Sequence, residues 1–141
     1  MQPLITNYDN SQIFLGDNFF TDADYTNNTG STVNLSKGRL MGRTLATNQI
    51  LEQVSAATDG SEFPMGILAE DISVAAGDTV TTTICTGGDV NAEKLIQNGA
   101  ETLATIVRTA STGGGTVGDL IRRNTTINLI ASRQLSAYDN Q

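Results

Sequence analysis

Residues able to do covalent chemistry are scarce in this chain. There is no His, and Cys85 is the single cysteine among 141 residues. Ser or Cys nucleophiles that need an imidazole base have no partner, and the common zinc sites lack their ligands. Carboxylates are numerous, with 15 Asp and Glu, but the neighbours Glu70 and Asp71 would point to opposite faces of a strand and could not converge on a substrate. Asp22 and Asp24 have a spacing that a Ca²⁺ loop uses, yet the glycine and remaining ligands of an EF-hand are missing, so they read as a solvated acidic turn. Gly113-Gly114-Gly115-Thr116 lacks the Gly-Lys-Ser/Thr ending of a phosphate loop and reads as a flexible connector. Gly87-Gly88 supplies two of the spaced glycines of a dinucleotide fingerprint, and Asp89 would repel a pyrophosphate. The expectation is a non-enzymatic protein with no catalytic residue, no metal and no cofactor.

The bulk composition narrows the partners. Eight Lys and Arg against those 15 acids leave a formal charge of −7, and such a surface cannot neutralise phosphates and release their counterions. Nucleic acid and anionic membrane surfaces are therefore not expected partners. No apolar run approaches the roughly 20 residues that span a bilayer. The start Met1-Gln2-Pro3-Leu4-Ile5-Thr6-Asn7 has neither the basic beginning nor the apolar stretch of a signal peptide, so synthesis in the cytoplasm is the expectation. The length fits one domain, and its core must be built from Val, Ile, Leu, Ala and Thr methyls, a composition that leans to strands.

The elements that would position any functional residue fall in two parts. Residues 1–36 are rich in Asn, Asp and Thr and carry no Lys or Arg. They also hold most of the chain's Phe and Tyr residues: Tyr8, Phe14, Phe19, Phe20 and Tyr25. A segment this polar cannot fold alone, while a solvated linker would not concentrate aromatics. It reads as an extended arm that docks on something else, with Leu4, Ile5, Tyr8, Ile13, Phe14, Phe19, Phe20 and Tyr25 as its anchors; the competing reading tucks Ile13, Phe14, Leu15, Phe19 and Phe20 into the chain's own core. From residue 37 to 141 the pattern is that of a small α+β domain, mainly β. Short runs at 32–35, 39–45, 49–54, 66–69, 72–74 and 79–84 read as strands bounded by turn residues such as Asp59-Gly60-Ser61 and Gly77-Asp78.

Cys85 ends the last of these runs as a small buried hydrophobe, and Gly87-Gly88-Asp89 is expected to break the strand. Asn91 then caps a short helix through Ile96 to Gly99. Leu103, Ile106, Val107 and Ala110 share one face at helical spacing, which predicts a second helix over 100–110. Thr116 with Asp119 forms a capping box for a helix ending at Arg122 and Arg123, whose charges suit the helix dipole. A strand at 126–130 and a polar tail at 137–141 close the chain.

The order of motifs from Gly38 to Leu129 resembles the phage head decoration protein family of the lambda type. The resemblance is carried by Gly38-Arg39-Leu40-Met41-Gly42-Arg43, Asp59-Gly60-Ser61-Glu62-Phe63-Pro64 and Gly66-Ile67-Leu68-Ala69-Glu70-Asp71-Ile72. It continues through Gly88-Asp89-Val90-Asn91 to Leu95, and through Leu120 and Arg122 to Ile127-Asn128-Leu129. Val90 stands where the family usually has an aromatic, Thr126 stands where it has a glycine, and the stretch 100–115 is longer than its usual connection. The resemblance implies a β-tulip-like small barrel or sheet with short helices. It further implies a homotrimer on threefold positions of the outer capsid surface, bound to the major capsid protein and stabilising the expanded shell of a virion against DNA pressure. The arm would face the capsid and could add a strand to its sheets. A tail, fibre or surface-adhesion module binding host or glycan is the alternative, since it too would be Thr-rich, acidic and free of catalytic residues.

Overall fold

Three pairs of adjacent apolar residues decide the architecture: Leu40-Met41, Ile67-Leu68 and Ile84-Cys85. Neighbours on a strand face opposite sides, so strands with such pairs need cover on both faces. The computed structural model describes residues 12–107 and 115–131 and provides that cover. In chain order the strands are β1 (Phe14–Thr26), β2 (Val33–Leu35), β3 (Leu40–Arg43), β4 (Ile50–Glu52), β5 (Pro64–Leu68), β6 (Ile72–Val74) and β7 (Thr79–Asn91). A 3-10 turn at Ala92–Lys94 follows, then β8 (Ile106–Val107), β9 (Gly115–Thr116), the helix α1 (Val117–Asn124) and β10 (Thr126–Ile130).

The main sheet runs β1-β4-β3-β5-β7, and β7 also pairs with β1, which closes a small five-stranded barrel. Every barrel strand sends residues to one apolar cluster: Ala23 and Tyr25 from β1, Met41 from β3, Ile50 from β4, Leu68 from β5 and Ile84 from β7. The other member of each pair, Leu40, Ile67 and Cys85, turns outward into a second cluster with Val90, Leu95, Val107 and Ile127, and α1 covers it with Val117, Leu120 and Ile121. The chain is thus mainly β, with two cores that share the walls of one barrel and a single α-helix among the described residues.

Most strands lie where the sequence places them, and four expectations are corrected. First, residues 14–26 are not part of a detached arm. They form β1, paired antiparallel with β7 from Phe14↔Val90 to Thr26↔Thr79. Their polarity belongs to one solvated face, where Thr81 donates to Asp24 at 2.7 Å and Thr26 meets Thr79 at 2.7 Å, while Ala23 and Tyr25 alternate into the barrel. Asp22 and Asp24 accordingly stand on a strand and not on a turn.

Second, β7 does not stop at Gly87. It continues to Asn91 because β1 and β10 flank it on both sides there, and its glycines allow that approach. A Cβ on Gly87 would strike Thr126 Oγ1 and lie 2.8 Å from Phe19, and one on Gly88, whose φ is +94°, would strike the Asp17 carbonyl.

Third, the helix expected after Asn91 is only the 3-10 turn. The Asn91 side chain does accept from Glu93 N–H, but Ile96 then exchanges backbone bonds with Gly38 and Leu40, which holds the chain extended. Fourth, residues 101–107 form turns and β8 in place of a helix, because Thr102 and Thr105 bond the local backbone: Thr105 Oγ1 accepts from Thr102 N–H at 2.8 Å and Thr102 Oγ1 from Ala104 N–H at 3.2 Å. Leu103 and Val107 still face the core. Residues 108–110, the connector glycines 113–114 and the tail 137–141 lie outside the described residues, and Gly115 belongs to β9.

Thr116 is the N-cap of α1. Its Oγ1 accepts from Asp119 N–H at 3.1 Å, and Arg122 and Arg123 occupy the last turn of α1.

Candidate functional site

The eight residues singled out as anchors divide into three groups. Leu4, Ile5 and Tyr8 lie outside the described residues. Ile13, Phe14 and Tyr25 belong to the fold: Ile13 and Phe14 pack against the outer core, and the Ile13 carbonyl accepts from Asn91 N–H at 2.8 Å. Tyr25 is 3% exposed inside the barrel. Burial, then the neighbouring Glu52 carboxylate, pushes its phenol above the ordinary range. The structure leaves Phe19 and Phe20 facing solvent, 66% and 50% exposed.

Adjacent residues of a regular strand cannot both project from one surface, and here the strand is irregular. Its pairing with β7 slips between Phe14 and Gly16, between Gly16 and Phe19, and between Phe19 and Phe20. Asp17 takes a positive φ of 54°. Asn18 holds the distortion in place: its amide donates to two carbonyls of β7, those of Gly87 at 3.3 Å and Asp89 at 3.0 Å, while its oxygen accepts from Gly16 N–H at 3.1 Å. Such bulges re-aim side chains. The Phe20 ring meets Phe14 edge to face, and the Lys37 ammonium stands 5.4 Å from the Phe14 centroid.

The other edge of β1 is open along this stretch. β4 meets β1 only at Tyr25↔Ile50, so among the described residues no strand flanks β1 from Phe14 to Asp22 on the side away from β7. An unpaired edge beside two exposed aromatic rings can take a further strand through its backbone groups.

Sequence reading missed two other features. Leu45 is 84% exposed on the turn between β3 and β4, beside a cleft of about 440 Å³ whose walls include Arg43, Phe63, Met65, Leu120 and Arg123. The sequence pattern places Leu45 at the end of the strand run 39–45, whereas β3 stops at Arg43. Asn18 carried no signal, because its role depends on β7 and is nonlocal.

The polar groups that could do chemistry have structural partners. Glu70 accepts from Thr82 Oγ1 at 2.8 Å, and Asp71 from Lys37 N–H at 2.7 Å. Asp59 is held below the usual carboxylate range by the hydroxyl and N–H of Ser61. Burial pushes the Cys85 thiol up, against smaller opposing effects of the Gly87 carbonyl and Asn18 amide. Among the described residues no three His, Cys, Asp or Glu gather as metal ligands.

No curated protein matches the chain. The family model of the bacteriophage lambda head decoration protein D matches residues 9–113, from ahead of β1 to beyond β8. That stretch takes in all five barrel strands and the exposed pair Phe19 and Phe20. The chain therefore belongs to the bacteriophage lambda head decoration protein D family, a family of structural phage capsid proteins.

Proposed function

We propose that this protein decorates the outer surface of the expanded phage head, trimerising on local threefold positions and bracing the shell against the pressure of packaged DNA. The observation that carries the docking assignment is the exposure of Phe19 and Phe20 beside the open edge of β1. Aromatic side chains are favoured at buried contact centres. Phe19 and Phe20 are the anchors to the major capsid protein, and Leu4, Ile5 and Tyr8, which precede β1, supply an added strand. Ile13 and Phe14 position β1 by packing on the core, and Tyr25 is released from the anchor set because the barrel encloses it.

The mechanism is thermodynamic. A protein that binds only the expanded shell stabilises that shell by mass action. A trimer matches the symmetry of a threefold site, and linkage makes the second and third contacts effectively intramolecular, with an avidity gain of roughly 10² to 10⁴.

The test is co-sedimentation with expanded heads using three proteins: the parent, a Phe19→Ser/Phe20→Ser variant, and a chain lacking residues 1–11. Each altered chain is expected to bind more weakly while keeping its fold. Undiminished binding by both would refute the docking assignment, and binding to host cells or glycans with no binding to heads would favour an adhesion module.

A further inference from the structure

We propose that Asn98 is a site of spontaneous covalent modification in the folded protein, converting to aspartate and isoaspartate with loss of ammonia. Asn98-Gly99 is the sole Asn-Gly step in the sequence. It lies in a turn closed by Glu101 N–H donating to the Asn98 carbonyl at 2.9 Å. Gly99 is exposed, has φ +54°, and has no heavy atom within 4 Å of the place a Cβ would occupy. Among the described residues, nothing accepts a hydrogen bond from its N–H. A backbone nitrogen with no neighbouring Cβ and no engaged proton is the nucleophile this chemistry requires.

The step is balanced with water as the co-reactant. Gly99 N gives its proton to a solvent base and attacks Asn98 Cγ. The new N–Cγ bond closes a five-membered succinimide, and the Cγ–Nδ2 bond breaks, Nδ2 leaving as ammonia with a proton from water. Water then opens the ring at either carbonyl. Cleavage of N–Cγ gives aspartate, and cleavage at the former main-chain carbonyl gives isoaspartate. Nothing is oxidised or reduced.

The surroundings make this change consequential. Asn98 Nδ2 donates to Glu101 at 3.3 Å, and the same carboxylate accepts from Ser55 N–H and Ser55 Oγ. Ser55 Oγ in turn accepts from the buried Gln53 amide at 3.2 Å. Conversion replaces the Asn98 donor with a second carboxylate, and like charges at this range disfavour one another. Glu101 is driven from Ser55, and the segment it ties down loosens. That segment supplies the Leu103 and Thr105 carbonyls that accept from Gly118 and Val117 N–H at 2.8 and 2.9 Å, satisfying the first turn of α1. This inference is independent of capsid binding.

The test holds the full chain in mildly alkaline buffer at physiological temperature, folded or unfolded in urea, followed by peptide mapping. The folded protein is expected to gain about 1 Da per chain in the peptide containing Asn98, as an aspartate and isoaspartate doublet. Asn98→Gln should show no such gain. Asn98→Asp should fold and melt roughly 2–8 °C below the parent. Modification confined to the urea-unfolded chain would overturn the proposal, and an Asn98→Asp protein that melts with the parent would overturn the coupling through Glu101.

Discussion

The Phe14 and Phe20 rings meet edge to face, with centroids 5.4 Å apart and planes at 84°. Phe14 faces the core and Phe20 is half exposed, so one aromatic pair joins the interior to the open face of β1. The two residues are expected to fail differently. Phe14→Ala should cost about 2 kcal/mol or more of stability, since it removes packed apolar surface. Phe20→Ala should change stability by less than about 1 kcal/mol and weaken head binding by about tenfold or more. Urea melts and co-sedimentation of the two variants separate these roles.

Gly88→Ala is expected to destabilise the chain by at least about 2 kcal/mol, because a backbone clash and a disfavoured φ act together. A Cβ there overlaps the Asp17 carbonyl, and the φ is +94°. Gly77→Ala is the contrast, as its Cβ would meet nothing within 4 Å at a φ of +81°, leaving only the backbone strain of roughly 1 kcal/mol. A larger loss at Gly77 than at Gly88 would contradict the close-approach account.

Asn27 is fully buried and ties β1 to its neighbours. Its amide donates to the Ser31 and Val74 carbonyls at 2.8 Å each, and its oxygen accepts from Thr29 N–H and Oγ1 at 2.9 and 2.6 Å. Asn27→Ala takes the buried amide donor from the Val74 carbonyl, while the Ser31 carbonyl keeps Thr29 Oγ1, and should cost about 1–3 kcal/mol. Chemical denaturation should show a lower midpoint with an unchanged slope.

The Cys85 thiol and Tyr25 phenol both have raised pKa values, chiefly through burial. Each group keeps its proton longer in the folded state than in the unfolded chain. Their stabilising contribution is complete below the unfolded pKa values, about 8.5 for Cys and 10 for Tyr, and is lost as pH rises from there through the folded values. Melting temperature is expected to fall as pH increases through this range, and a Cys85→Ala/Tyr25→Phe protein should show a shallower fall. Equal slopes would refute the assignment.

The legible part of this fold was the part set by local pattern. The pairs Leu40-Met41 and Ile67-Leu68, the Asp59-Gly60-Ser61 turn and the Thr116 cap each act within a few residues, and each lies where spacing places it. The misread parts depend on distant partners. Asp22-Ala23-Asp24-Tyr25-Thr26 alternates as a strand does, yet its polarity outweighed that signal because the Thr residues that meet the aspartates lie far along the chain on β7. Gly87 and Gly88 look like a turn until β1 and β10 are seen to press on them from both sides. Of the candidate site, residue type was legible and exposure was not, since burial of Tyr25 and projection of Phe19 are both set by pairing with β7.

Binding to expanded and unexpanded heads, measured side by side with the full-length protein, tests the central claim most directly. The account predicts saturable binding to expanded heads in multiples of three per site, little binding to unexpanded heads, and greater resistance of the decorated heads to disruption. Equal binding to both forms, or no binding to expanded heads, would contradict it.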